Sequence, residues 1–238
     1  MSYSSITFLD KNPIKRALQR KRLVIALSSY TPSDSERIMH VCDFGSGNGE
    51  LLKLVPEGNT LLTCYEPSPE LIEQAKENLS NVKNVSFTQD VNSIPSSSMD
   101  YVFCLEVFEH LPNNETIEAL RDITRILKND GKLIIGVPVE IGFPAIYKGL
   151  FRLTRRRNTF DTKISHIISA TLKNPPKNRP VGKITSNFNF HFDHMGFDYR
   201  VLKLSLKEHF HISRIFYSPY NLMSCFMPEV YFEVSLKK

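Results

Sequence analysis

Hydrophobic and polar positions follow two alternating periods along most of the chain. Short apolar runs at 39–44, 60–65, 84–88, 100–105 and 132–138 predict strands, and the segments 48–54, 69–79 and 115–128 between them repeat apolar residues at helical spacing. Strand and helix in regular alternation predict a doubly wound, mostly parallel sheet with helices on both faces. Upstream, Asn12-Pro13 pairs an N-cap with proline at the first helical position and opens a helix over 13–29. The linker Thr31–Ser35 separates it from the first strand, and Asn129-Asp130-Gly131 reads as the stop of the 115–128 helix. From 140 to 195 the periodicity breaks among Pro144, Pro175, Pro176 and Pro180, which predicts an inserted cap. Regularity returns with a helix over 199–210 and strands over 212–217 and 229–236, joined by Ser218–Pro228. The expected organisation is one domain over 1–238, with an N-terminal basic helix and linker (1–38), a ligand-binding core (39–138), the cap (140–195), and a C-terminal helix with the last strand pair (199–238).

Composition narrows the class without fixing the function. The 238 residues are 41% hydrophobic and 23% charged, ordinary for a soluble globular domain. No apolar run approaches the roughly 20 residues of a membrane span. Lys21–Leu27 imitates a secretion signal, but its apolar part is shorter than the ~7–15 residues of a true one, so the expected location is cytoplasmic. Four cysteines without C-x-x-C spacing, Cys42, Cys64, Cys104 and Cys225, predict reduced thiols. The net charge of +5 matters through its placement. Lys11, Lys15, Arg16, Arg20, Lys21 and Arg22 give the first helix a positive side. The insert carries Lys148, Arg152, Arg155, Arg156, Arg157, Lys163, Lys173, Lys177, Arg179 and Lys183, with Asp161 the only acid from 148 to 183.

Candidate chemistry gathers at the predicted strand ends. Asp43-x-Gly45-Ser46-Gly47-x-Gly49 follows the first strand, where glycine permits positive φ and close backbone approach, and a following helix N-terminus would favour a polar or anionic group. Glu66 ends the second strand, placed to accept ribose hydroxyls, and Asp90 follows the third, within reach of an adenine amino group. A dinucleotide fingerprint would need glycine at position 50, which is Glu50. At these residues the sequence resembles the class I S-adenosylmethionine-dependent methyltransferases, closely over about 39–138. The resemblance implies a Rossmann-like methyltransferase fold of seven strands with an antiparallel final strand, and S-adenosyl-L-methionine as cofactor. It also implies that Asp43, Gly45, Ser46, Gly47 and Gly49 lie along the methionine part, Glu66 and Pro67 at the ribose, Asp90 and Val91 at the adenine, and Cys104, Leu105 and Glu106 beneath the sulfonium.

The run Glu106-Val107-Phe108-Glu109-His110 brings Glu106, Glu109 and His110 to one face if it makes a helical turn. This E-x-x-E-H string resembles that of metal-dependent members of the family, including ubiquinone-pathway O-methyltransferases and small-RNA terminal 2′-O-methyltransferases. His110 and Glu109 are the candidate catalytic residues. Glu106, Glu109 and His110 form a candidate divalent-metal set, with His194 or His191 supplying a further ligand; the alternative is that both histidines satisfy polar groups where cap meets core. The expected acceptor is a small-molecule, glycan or lipid-linked group, anionic in view of the basic rim, methylated on oxygen more readily than nitrogen. The segment Ile146–Leu153 also resembles an interfacial helix suited to anionic lipid, giving the inner face of a membrane as a peripheral location. Nucleic acid as a partner is disfavoured because Tyr147, Phe151 and Phe160 are too sparse for base stacking. The competing readings are an RNA-directed methyltransferase, an NAD-dependent oxidoreductase and a non-catalytic cofactor-binding module.

Overall fold

The computed structural model describes residues 13–32, 37–155, 159–185, 188–220 and 224–237. Asn12, Lys11, most of the linker, Arg156 and Arg157 lie outside them. Helix α1 (Pro13–Leu27) precedes β1 (Met39–Phe44), β2 (Thr60–Tyr65), α2 (Pro69–Asn78), β3 (Val85–Thr88) and β4 (Met99–Leu105). Then come α3 (Asn113–Ile126), β5 (Leu127–Pro138), α4 (Phe143–Arg155), α5 (Ile164–Thr171), β6 (Gly182–Thr185), β7 (Phe188–Phe190), α6 (Tyr199–His209), β8 (Phe210–Ser218) and β9 (Glu229–Leu236).

Seven strands form one sheet in the order β3-β2-β1-β4-β5-β9-β8. Every pairing from β3 to β5 is parallel, and β9 runs antiparallel to both neighbours. Consecutive strand residues point to opposite faces. Val41, Phe103, Ile134 and Tyr231 therefore enter one core with α1 and α2, while Cys42, Val102, Cys104, Ile135 and Phe232 enter another with α3 and α6. Burial on both faces explains why β4 reads as an unbroken apolar run (MDYVFCL) after its acidic second residue. Asp100 there is held charged by Lys128 (2.7 Å) and the His40 N–H (2.8 Å).

Two local expectations are corrected. The segment after the glycine loop is not an α-helix: it turns and closes in a three-residue 3-10 helix, Leu52–Leu54, before Val55 becomes extended. Pro56 accounts for this, since proline disfavours the helical conformation in the residue before it. No helix N-terminus of useful length therefore stands behind the loop. Asn129-Asp130-Gly131 does not stop a helix either. Helix α3 ends at Ile126, and β5 starts at Leu127 with a register shift against β4. A Cβ on Gly131 would lie 2.9 Å from the Met99 carbonyl oxygen, so glycine serves close strand approach there.

The insert is ordered where described. Helices α4 and α5 cross so tightly that a Cβ on Gly149 would meet Ile167 at 2.8 Å, and Ala145, Ile167, Ala170 and Met195 form a small core of their own. The β6–β7 hairpin completes this cap.

Candidate active site

The strand order reverses between β1 and β4, and a cleft opens there at the carboxyl ends of the strands, where open α/β sheets bind ligands. It encloses about 710 Å³ counted out to its open mouth. Asp43, Gly45, Ser46, Gly47, Leu105 and Glu106 line it, as the sequence led one to expect. Gly45 and Gly47 have φ of 75° and 56°. A Cβ on Gly45 would stand 2.6 Å from Val107 Cγ2, so this turn needs glycine on two counts. Gly49 is different: its φ is 78°, and a Cβ would strike Leu79 at 2.6 Å, placing it against α2 rather than in the cleft.

Glu66 is 5% exposed and accepts hydrogen bonds from the Gly47 N–H (2.8 Å) and the Ser68 N–H (2.9 Å). It thus clamps the glycine loop to the end of β2. Burial pushes its pKa up to about 7 against these two bonds. Burial, and then the Glu66 charge, raise Asp43 to about 8. Two buried carboxyls poised near neutrality beside a glycine turn suit a ligand that brings a cation and hydroxyl donors, which is what an S-adenosylmethionine amino group and ribose offer. Glu66 stands behind the glycine loop and is not itself among the cleft-lining residues, nor is Pro67, which leads into α2. Cys104 is fully buried inside the sheet. Asp90 caps the short turn Val91–Ser93, accepting from the Asn92 N–H (2.9 Å), and neither it nor Val91 lines the cleft.

Several lining residues carried no sequence signal. Gln19, Arg22 and Leu23 of α1 form one wall. Arg22 donates to Glu106 (3.1 Å) and also to Glu229, the first residue of β9. Burial alone would lower the Arg22 pKa, but the two carboxylates outweigh it. Gly136 and Tyr231 close the floor, with Gly136 of β5 paired to Leu105 on one side and to Tyr231 on the other. A lone glycine within an apolar strand was the available hint.

The metal set is revised. Glu106 has φ 56° and pairs its carboxylate with Arg22, and it is not among the ligating groups that converge at the turn Phe108–His110 that follows. Glu109, His110 and His194 instead converge, with ligating atoms all within 4.8 Å of one another. Glu109 is fully buried, and neither carboxylate oxygen receives a hydrogen bond from another residue; burial, then Glu106, raise its pKa. His110 Nδ1 lies 2.6 Å from the His191 carbonyl, which can only accept, so Nδ1 carries the proton and Nε2 keeps its lone pair 3.8 Å from Glu109. Burial lowers the pKa of both His110 and His194, leaving neutral rings. His191 is structural: its N–H donates to the His110 carbonyl (2.7 Å) and its Nδ1 meets the Pro180 carbonyl (2.8 Å). An orphaned buried carboxylate flanked by two neutral imidazoles fits a divalent cation such as zinc.

Part of the expected positive rim is internal. Arg152 meets fully buried Glu140 through two bonds of 2.8 Å, and Lys148 through one of 3.1 Å. Arg179 donates to the carbonyls of Glu109 (2.6 Å) and Asp193 (2.5 Å), with burial lowering its pKa to about 10. Arg155, Lys163, Lys173 and Lys177 remain exposed.

The fold and cleft define a Rossmann-like protein of the methyltransferase type. Residues 42–135 match the family model of a methyltransferase domain, and the strand order is that of the Rossmann-like fold of the class I S-adenosylmethionine-dependent methyltransferases. It is 32% identical over 96 residues to an uncharacterized methyltransferase of Anoxybacillus flavithermus, covering 40% of this chain and 44% of that one. It is 30% identical over 100 residues to a ubiquinone biosynthesis O-methyltransferase of Xanthomonas oryzae pv. oryzae, covering 40% and 41%. The matched stretch thus spans less than half of either relative. Among solved structures, a Pyrococcus horikoshii protein superposes with a TM-score of 0.62 at 17% identity, covering 99% of this chain and 96% of that one. The N-methyltransferase NodS from Bradyrhizobium japonicum superposes with a TM-score of 0.55 at 14% identity, covering 96% and 99%.

Proposed function

We propose that the protein transfers the methyl group of S-adenosylmethionine to a hydroxyl of a glycan, lipid-linked or other small-molecule acceptor. The observation that carries the hydroxyl reading is the orphaned Glu109 carboxylate beside His110 and His194. Ser46, Gly45 and Gly47 would cradle the methionine end, with Asp43 to hold its ammonium and Glu66 the ribose. Asp90, which caps the turn through Oδ1, and Val91 would flank the adenine from the end of β3, and Pro67 would stand beside the ribose at the start of the link to α2. The sulfonium supplies an already activated methyl carbon, so the protein's main contribution is alignment in a dry site.

Glu109, His110 and His194 would hold a divalent cation, which when bound lowers the pKa of a coordinated hydroxyl. His110 is kept in one tautomer by the His191 carbonyl, so its Nε2 lone pair would serve as the metal ligand or, with no metal bound, as the proton acceptor. Arg179, bonded to the Glu109 carbonyl, fixes the turn that carries both. A second reading, transfer to an amine, is favoured by one feature: Glu106, Glu109 and Glu229 cluster around a single guanidinium, Arg22, which suits a cationic acceptor if no metal is present.

Incubation with labelled S-adenosylmethionine and fractionated glycolipid and small-molecule extracts, followed by mass spectrometry, tests the proposal. A methylated hydroxyl is expected. Cofactor binding without transfer to any fraction would leave only a cofactor-binding module, and binding of NAD instead would restore the oxidoreductase reading.

A further inference from the structure

Helix α4 is amphipathic in the reverse sense. Its charged residues Lys148 and Arg152 face inward onto Glu140, and Lys148 also donates to the Pro228 carbonyl (3.0 Å). Burial alone would raise the Glu140 pKa, but the two cations hold it well below the carboxylate range, so this anchor is fully ionised. The outward side carries Phe143, Tyr147, Leu150 and Phe151, at one-face spacing, with Phe143 48%, Leu150 56% and Phe151 55% exposed. Phe226 extends the patch, its ring 4.6 Å from that of Phe143, and the Tyr147 hydroxyl donates to the Phe226 carbonyl (3.2 Å). A rigid apolar surface with its charges turned inside marks an interaction face.

The rim identifies the partner's chemistry. Arg155 sits 4.7 Å over the Phe151 ring at the end of the helix, and Lys163 and Lys173 are exposed on the same cap. Asp161 is the only acid between 141 and 185. It is buried, facing Arg152 (3.5 Å) and the Met195 N–H (2.9 Å). Two copies meeting through this face would bring the cations of 141–185 against one another with no exposed acid in that segment to relieve them. Apolar side chains ringed by unopposed cations complement an anionic lipid surface. The placement also fits the cleft: α4 follows directly from the carboxyl end of β5, whose Gly136 lines the cleft floor.

We propose that the outward face of α4, with Phe226, docks the protein peripherally on an anionic bilayer. The cleft end of the sheet then faces the headgroup layer. This deepens the lipid-linked form of the proposed function and rests on it for its purpose, though not for its test. The full-length protein is mixed with vesicles of phosphatidylcholine alone or with phosphatidylglycerol, and sedimentation measures the bound fraction, while calorimetry follows S-adenosylmethionine binding separately. Binding to the phosphatidylglycerol vesicles is expected, weakened about tenfold or more by Leu150→Asp and by salt, and weakened by Arg155→Glu, with thermal midpoint and cofactor affinity unchanged in both variants. Failure of the wild-type protein to bind anionic vesicles, or equal binding by Leu150→Asp at an unchanged thermal midpoint, overturns the docking proposal and leaves the methyltransferase reading standing. A concentration-dependent dimer that Leu150→Asp dissociates, with no vesicle binding, assigns the face to a second copy instead. Loss of cofactor binding in every form would overturn the methyltransferase reading and leave the vesicle result intact.

Discussion

Cofactor binding should be proton-linked through Asp43 and Glu66, and the size of the linkage follows from their surroundings. Burial raises Asp43 to about 8 and Glu66 to about 7. At pH 7 the free protein then holds about 0.9 proton on Asp43 and about 0.5 on Glu66. An ammonium on Asp43 and two hydroxyls on Glu66 require both as carboxylates, so binding at pH 7 releases up to about 1.4 protons. Ionising Asp43 one pH unit below its pKa costs about 1.4 kcal/mol, or tenfold in affinity. Between pH 7 and 6 both groups must be ionised against the solution, and affinity falls by about fiftyfold. The sign is definite: affinity rises with pH up to about 8, where the ligand's own α-amino group, pKa about 7.7–8.0, begins to lose its charge. Calorimetry at pH 6, 7 and 8 in buffers of different ionisation heat reads both the affinity and the released protons. Asp43→Asn should cut the release at pH 7 to about 0.5 proton and remove one decade of the slope. An affinity that stays flat from pH 6 to 8, with no proton release, would refute the assignment of these carboxyls to the cofactor.

Three further outcomes follow from the packing. Gly47→Asp adds a carboxylate beside Glu66 at a position whose φ of 56° aspartate tolerates, so calorimetry should show lost cofactor affinity at a nearly unchanged thermal midpoint. Gly45→Ala, by contrast, meets Val107 at positive φ and should cost about 1–2 kcal/mol or more in urea titration. Arg22→Met leaves Glu106 and Glu229 without their cation, and breaking such a buried pairing costs about 3–5 kcal/mol; chemical denaturation at pH 7 measures it. Glu140→Gln should destabilise by a similar amount at pH 7. Because the folded pKa of Glu140 is depressed, the wild-type advantage is complete above the unfolded value near 4.5 and shrinks as pH falls below it.

The sheet was legible because its strands are buried on both faces and punctuated by turn residues, a signal that needs no tertiary information. Strands 39–44, 60–65 and 229–236 have the predicted bounds. The cleft was legible where the backbone itself forms it, at Asp43 to Gly47 and at Leu105-Glu106. What stayed hidden depends on partners far apart in sequence. Nothing local to Arg22 announces that it crosses to Glu106 and Glu229, and nothing local to Lys148 or Arg152 tells that both turn inward onto Glu140. The same holds for Glu106, where helical spacing suggested a shared face with Glu109 and His110. A left-handed backbone at that residue, set by the strand end, directs its carboxylate to Arg22 instead.

The inward turn of those cations ties metal dependence to the acceptor. With Lys148 and Arg152 paired to Glu140, Glu106, Glu109 and Glu229 gather around Arg22, and the further cations acting on them are Arg179 beside Glu109 and Lys148 beside Glu229. An anionic or ionising hydroxyl acceptor would be repelled there unless a further cation compensates Glu109. A cationic amine would need no such help. Chelation therefore discriminates the atom methylated as well as the cofactor set. Transfer abolished by chelator, restored by divalent ion, and reduced by His194→Ala with S-adenosylmethionine affinity intact is the expected result for a hydroxyl acceptor. Transfer that survives exhaustive chelation would reject the metal and move the acceptor to nitrogen.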